Sequence, residues 1–137
     1  MNKCINCGVD FKPKKYNHII CDKKCRNKYI NKRLRDNPSY REKEKQYRLQ
    51  TKLKCINHYS NNQARCFCCG EANILFLTLD HTKNNGAEHR KEIKGGFAMQ
   101  RWIIQNNFPS GFQVLCWNCN CGRSINNGVC PHLSPRN

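Results

Sequence analysis

Apolar positions are sparse through the first third of the chain and gather into short runs further on. Between residues 26 and 60 the pattern is polar and basic at first. Leu49, Leu53 and Ile56 then recur at helical spacing, with Tyr59 one turn on. Asn37-Pro38 interrupts this stretch as a helix start, with Asn as N-cap and Pro at the first helical position. The region therefore predicts one long basic helix, or two separated at Pro38. Residues 61–65 (NNQAR) predict a turn. Ile74–Leu79 is short, apolar and partly aromatic, which predicts a strand, and Lys83-Asn84-Asn85-Gly86 predicts a second turn. Residues 97–107 carry Phe97, Met99, Trp102, Ile103 and Ile104 at helical spacing and stop before Pro109; Phe112–Leu115 predicts a second strand, and a short helix to about Ile125 should follow. This mixture predicts an α+β protein without internal repeats.

Composition limits how such elements can be held together. The chain has 137 residues, enough for one ordinary domain or two very small ones, and only 38% are apolar. A core that small needs covalent or metal staples, and twelve cysteines are available. The N-terminal MNKCINCGVD lacks the apolar stretch of a secretion signal, and no run approaches the about 18 apolar residues of a membrane span. The cysteines fall in C-x2-C and C-x3-C pairs, so the expectation is an intracellular zinc protein, without a membrane partner, rather than a disulfide-bonded one. The formal charge is +16, with residues 1–65 carrying +13 and residues 66–137 carrying +3. That asymmetry points to a polyanion-binding half; the alternative is a basic surface kept for solubility.

Three segments follow. Residues 1–26 hold Cys4, Cys7, Cys21 and Cys25, with Phe11 as an apolar plug, and predict a Cys4 zinc finger. The segment resembles small C-x2-C-G-x2-F…C-x3-C fingers attached to DNA-acting proteins. Structural zinc is worth about 10–16 kcal/mol in such units, more than the loop can bury. His18 is a rival fourth ligand. Residues 27–62 form a basic connector whose Lys28, Lys32, Arg33, Arg35, Arg41, Lys45, Arg48 and Lys52 are candidate contacts to DNA phosphates; the bland reading is a solvated helical linker. Residues 63–137 contain Cys66, Cys69, Cys116 and Cys119, a second tetrahedral zinc set. Gly70 permits the tight knuckle, and Cys68 is an alternative to Cys69. Cys55, Cys68, Cys121 and Cys130 are then left over. Cys130 and His132 could add ligands, but a structural tail is expected there. Trp102 and Trp117 are expected in the core.

The second zinc set would pin a strand ending in Asp80-His81 to a helix starting near Asn120. Taken singly, Asp80-His81 could bond a turn, Asn120 could cap a helix, and Asn118 is a neighbouring rival. Taken together, C-x2-C … D-H … C-x2-C-N resembles the HNH (ββα-metal) endonucleases, in the phage recombination endonuclease VII type where the last catalytic position is Asn. The resemblance covers residues 66–132. It rests on Thr78-Leu79-Asp80-His81, His89-Arg90, Leu115-Cys116-Trp117-Asn118-Cys119-Asn120 and Cys130-Pro131-His132.

The resemblance implies a zinc-stabilised, treble-clef-like ββα-metal module in a metal-dependent DNA endonuclease. Asp80 and Asn120 would ligate one divalent cation, Mg²⁺ by the hardness of their oxygens. His81 would be the general base, with 5′-phosphate and 3′-hydroxyl products. His89-Arg90, expected in the loop after the Asn-Gly turn, would meet the DNA, double-stranded or branched. Arg90 would hold a phosphate and His89 would orient substrate or assist the metal; the bland reading is a surface His-Arg pair in a basic protein. Two structural zinc ions complete the cofactors, a homodimer is compatible with the sequence, and a phage-encoded chain would work in the host cytoplasm. The competing reading is a non-catalytic zinc-stabilised DNA-binding protein such as a phage regulator; RNA binding or cleavage is permitted by charge alone.

Overall fold

A computed structural model of the chain describes residues 1–133; residues 134–137, the end of the segment assigned above to a nuclease module, lie outside the described residues. The chain divides into two compact units, Met1–Gln46 and Tyr47–Asn137. Among the described residues there are five α-helices and two small antiparallel sheets, an α+β arrangement.

In the first unit, β1 (Asn2–Lys3) pairs with β2 (Asp10–Phe11), and the chain between them turns through a cysteine knuckle. The amides of Gly8 and Cys4 close that knuckle on the Cys4 and Val9 carbonyls at 2.8 and 2.9 Å. Helix α1 (Lys23–Asp36) is capped by Asp22, whose Oδ1 accepts from the Cys25 amide at 2.7 Å. No residue of α1 is buried. The predicted basic stretch is two helices: Asn37 ends α1, its Oδ1 accepts from the Tyr40 amide at 3.3 Å, and α2 (Pro38–Tyr59) opens on Pro38.

The second unit is built on β3 (Leu77–His81) and β4 (Phe112–Cys116), antiparallel in the register Leu77↔Cys116 to His81↔Phe112. Helices α3 (Gly86–Ile93) and α4 (Phe97–Gln105) lie between these strands in the chain. Helix α5 (Trp117–Ile125) follows β4 directly, and a single 3-10 turn, Pro131–Leu133, comes last. Two five-residue strands are marginal by themselves. Their support comes from one cluster of Ile56, Leu77, Val114 and Leu115 with Cys66, Cys116, Cys119 and Cys130. A second cluster joins Cys55 of α2 to Met99 and Ile103 of α4.

Several expectations are corrected. The first strand begins at Leu77, not Ile74. Asn73 Oδ1 accepts from the Leu75 amide at 3.0 Å and the Phe76 amide bonds the Asn73 carbonyl, so Ile74–Phe76 form a turn. Asp80 and His81 therefore lie within the strand. The Asn-Gly turn signal concealed the start of α3, which carries His89 and Arg90 on a helix rather than in a loop. The buried positions of α2 are Thr51, Cys55 and Ile56, with Leu49, Leu53 and Tyr59 half-buried around them. Gly70 takes φ +79° and donates to the Cys66 carbonyl at 3.0 Å, the left-handed turn a knuckle needs.

Leu77 is fully buried within the first cluster. Leu77→Ala is expected to cost the second unit about 2–5 kcal/mol. The denaturation midpoint followed by Trp102 and Trp117 fluorescence, both in this unit, checks it.

Candidate functional site

The four thiols of Cys4, Cys7, Cys21 and Cys25 converge within ligand distance of one another, with Cys7 and Cys21 sulfurs 3.7 Å apart. That spacing suits a tetrahedral zinc with Zn–S bonds of about 2.3 Å. The backbone amide of Cys21 is the largest influence lowering the Cys4 thiol, to about 6, so a thiolate is favoured there. His18 is not part of this group: its Nδ1 accepts from the Lys14 amide at 3.1 Å and its ring meets Phe11 edge-on.

Cys66, Cys69, Cys116 and Cys119 form the corresponding group in the second unit, with Cys69 and Cys116 sulfurs 3.6 Å apart. Burial raises the Cys66 thiol, but amides of Cys69, Cys116 and Cys68 outweigh it and bring it to about 7. Cys119 is fully buried, and burial followed by the surrounding thiols pushes it strongly up. A group of four thiols in which some resist ionisation is stabilised when a cation takes the charge. Each set could hold a structural zinc. Cys68 belongs elsewhere, in a third group with Cys119, Cys130 and His132.

The second group joins the knuckle, the end of β4 and the first turn of α5. A cleft of about 450 Å³ opens beside it, and Asp80, His81, Asn120, Arg90 and Lys52 all line it. Asp80 and His81 are 8% and 9% exposed. Asp80 Oδ2 accepts from Gln113, its partner across the strand register, at 2.9 Å and forms an ion pair with Arg123 of α5. Arg123 also donates to the His81 carbonyl at 2.9 Å and to the Thr82 carbonyl. The Asp80 bonds fall on Oδ2.

Asn120 is not a helix cap, since Cys116 is the N-cap of α5 and makes no side-chain cap bond. Asn120 Nδ2 donates to Thr78 Oγ1 at 2.8 Å, and Thr78 in turn donates to the Leu115 carbonyl across the sheet. Its rival Asn118 is exposed and does not line the cleft.

The His81 ring is held from two sides. Its Nε2 lies 2.8 Å from His89 Nδ1, and Phe112 covers one face with ring centroids 4.6 Å apart. His89 stands edge-on to Trp102 at 4.5 Å. Gly86 lies opposite: a Cβ there would sit 2.8 Å from His81 Nδ1, so only glycine leaves that nitrogen uncovered. Burial, and then the His89 charge, holds His81 below the ordinary imidazole value, against a raising pull from Asp80. The imidazole is therefore neutral, and able to accept a proton, at neutral pH.

The candidate phosphate contacts divide by environment. Lys28, Lys32, Arg33 and Arg35 on α1, and Arg41 and Lys45 on α2, are exposed. Arg48 lies over the Phe97 ring at 4.5 Å. Lys52 is half-buried and donates to the Ile74 carbonyl at 2.6 Å. Arg90 is exposed at the cleft mouth, whereas His89 is half-buried against His81. Trp117, expected in the core, is 59% exposed and lines the cleft, because the inward face of the first α5 turn is taken by Cys119.

Arg123, Gln113 and Thr78 escaped sequence reasoning. Arg123 follows Asn120 at i+3 on α5 and so shares its face, a signal visible once that helix is drawn. Gln113 is named only by the strand register. Comparison with protein families, curated proteins and solved structures finds no match for this chain. No described helix is long and apolar enough to cross a membrane.

Arg123→Ala leaves the Asp80 carboxylate buried without its guanidinium and is expected to destabilise the second unit by about 3 kcal/mol. Asp80→Asn in the same chain removes that charge and recovers part of the loss. A double-mutant denaturation series tests this; equal stability of the single and double variants would show that the pair carries no such charge burden.

Proposed function

We propose that the chain is a metal-dependent DNA endonuclease with an HNH-type ββα-metal centre in its second unit. One observation carries the reading: Asp80, His81 and Asn120 line a single cleft, although Asp80 and Asn120 are forty positions apart in the chain. The sequence resemblance adds the expectation of which residue does what.

A hard divalent cation such as Mg²⁺ fits the donors present. Asp80 keeps Oδ1 outside its bonds to Gln113 and Arg123, and Asn120 uses its nitrogen toward Thr78, which leaves its amide oxygen for the cleft. A bound cation would neutralise charge growing on the phosphate and on the departing 3′ oxygen. Arg123 and Gln113 orient the Asp80 carboxylate while lowering the cost of its burial.

With Nε2–H donating to His89, the His81 Nδ1 lone pair faces the Gly86 side and accepts a proton from the attacking water. His89 acts through His81 and is a positioning residue. Arg90 at the cleft mouth is placed to hold a phosphate. The exposed cations of α1 and the start of α2 bind DNA phosphates in their own right, without reading sequence.

The test is cleavage of supercoiled plasmid and of a branched duplex with Mg²⁺ or EDTA. His81→Ala should lower the rate by about 10²–10⁴-fold while zinc content and DNA binding stay unchanged. Binding of both DNAs with no cleavage in Mg²⁺ or Mn²⁺ would instead establish a zinc-stabilised DNA binder.

A further inference from the structure

The third ligand group shares a sulfur with the second. Cys119 belongs both to the set Cys66, Cys69, Cys116 and to the set Cys68, Cys130, His132. Nδ1 of His132 lies 3.3 Å from the Cys119 sulfur, 3.7 Å from that of Cys130 and 3.9 Å from that of Cys68. The Cys68 and Cys130 sulfurs are 3.2 Å apart. A tetrahedral zinc with Zn–S near 2.3 Å and Zn–N near 2.0 Å places its ligand atoms about 3.5–3.8 Å apart, and these separations straddle that range.

We propose that the second unit binds a pair of zinc ions through six cysteines and one histidine, with the Cys119 thiolate bridging the two metals. The chain then carries three zinc ions, one in the first unit and two in the second.

Charge favours the pair. Two zinc ions with six thiolates and a neutral imidazole carry a net −2, the same as one zinc in four thiolates, so the second ion enters without added charge. Two cations on one sulfur also offset the cost of ionising the wholly buried Cys119 thiol.

The backbone is built for the same end. One knuckle feeds both sets, Cys66 and Cys69 to the first and Cys68 to the second. The tail reaches α5 only because residue 122 is glycine. A Cβ there would stand 2.8 Å from Cδ and 3.2 Å from Cγ of Pro131, between the ligands Cys130 and His132. The Leu133 amide closes that turn on the Cys130 carbonyl at 2.8 Å. Cys130 is buried although it lies near the end of the described chain.

Metal content does not depend on whether the cleft cleaves DNA, so the two readings stand or fall separately. The experiment uses the full chain, purified reduced and loaded with zinc, with metal per chain measured by mass spectrometry. Three zinc ions are expected in the wild type. Two are expected in Cys130→Ser, in His132→Ala and in Gly122→Ala, the last of which removes no ligand.

Replacement by ¹¹³Cd gives a readout independent of any variant. Three resonances are expected, two of them split by mutual coupling through the Cys119 sulfur and the third unsplit. Two metals per wild-type chain, unchanged in Cys130→Ser and His132→Ala, would overturn the pair, as would a Cys68–Cys130 disulfide in the zinc-loaded protein. Three metals without cadmium–cadmium coupling would overturn the bridge.

Discussion

The second unit depends on one buried sulfur. Cys119 lies in the first turn of α5, against thiols from the knuckle and from the end of β4. The knuckle thiols it meets are some fifty positions away in the chain. The apolar clusters are too small to fix a strand against a helix: in the first, the buried members other than cysteines are Ile56, Leu77, Val114 and Leu115. Metal–thiolate bonds at this group would supply a stronger and more directional constraint than that core. The residue after Cys119 is Asn120, so whatever fixes the sulfur also fixes an amide of the cleft.

The same constraint explains how a carboxylate can stay in the strand interior. Asp80 faces Gln113 across the sheet, and α5 brings Arg123 onto the same oxygen. Arg123 also binds the His81 and Thr82 carbonyls, so the end of β3 is tied to α5 by side chain as well as by sulfur. His81 is treated differently. Aromatic rings and His89 hold its ring, and burial keeps it neutral. Two adjacent residues thus acquire different chemistry, a paired anion and a neutral imidazole, from neighbours distant in sequence.

The first unit shows the other extreme. Its α1 buries nothing, and its cations project from a helix held at its start by Asp22 and the adjoining cysteine group. The charge of that surface is not consumed by packing. Arg48 and Lys52 differ: the second unit takes up both, one over Phe97 and the other on the Ile74 carbonyl. A basic residue's place in the sequence therefore does not tell whether its charge is free for a ligand.

Much of this is legible in the order of the residues. Metal-ligand spacing identifies two four-cysteine sets, because C-x2-C is a local geometry that the chain satisfies by itself. Asn37-Pro38 marks the helix break, the apolar runs locate β4 and α4, and a short helix to about Ile125 is expected after the second cysteine pair. What spacing misses depends on contacts between distant segments. Asn73 converts an apolar run into a turn, and Gly86 begins a helix where Asn-Gly signals only a turn. Cys68, Cys130 and His132 have no mutual spacing that marks a ligand set, and they become one only where the tail folds onto α5. Arg123 and Gln113 cannot be chosen from the other polar residues, because strand register and helix face are set by packing. Local residue order dictates which ligands and elements exist. Which of them meet is settled by packing in three dimensions, since sulfur sharing and charge pairing depend on distance in space.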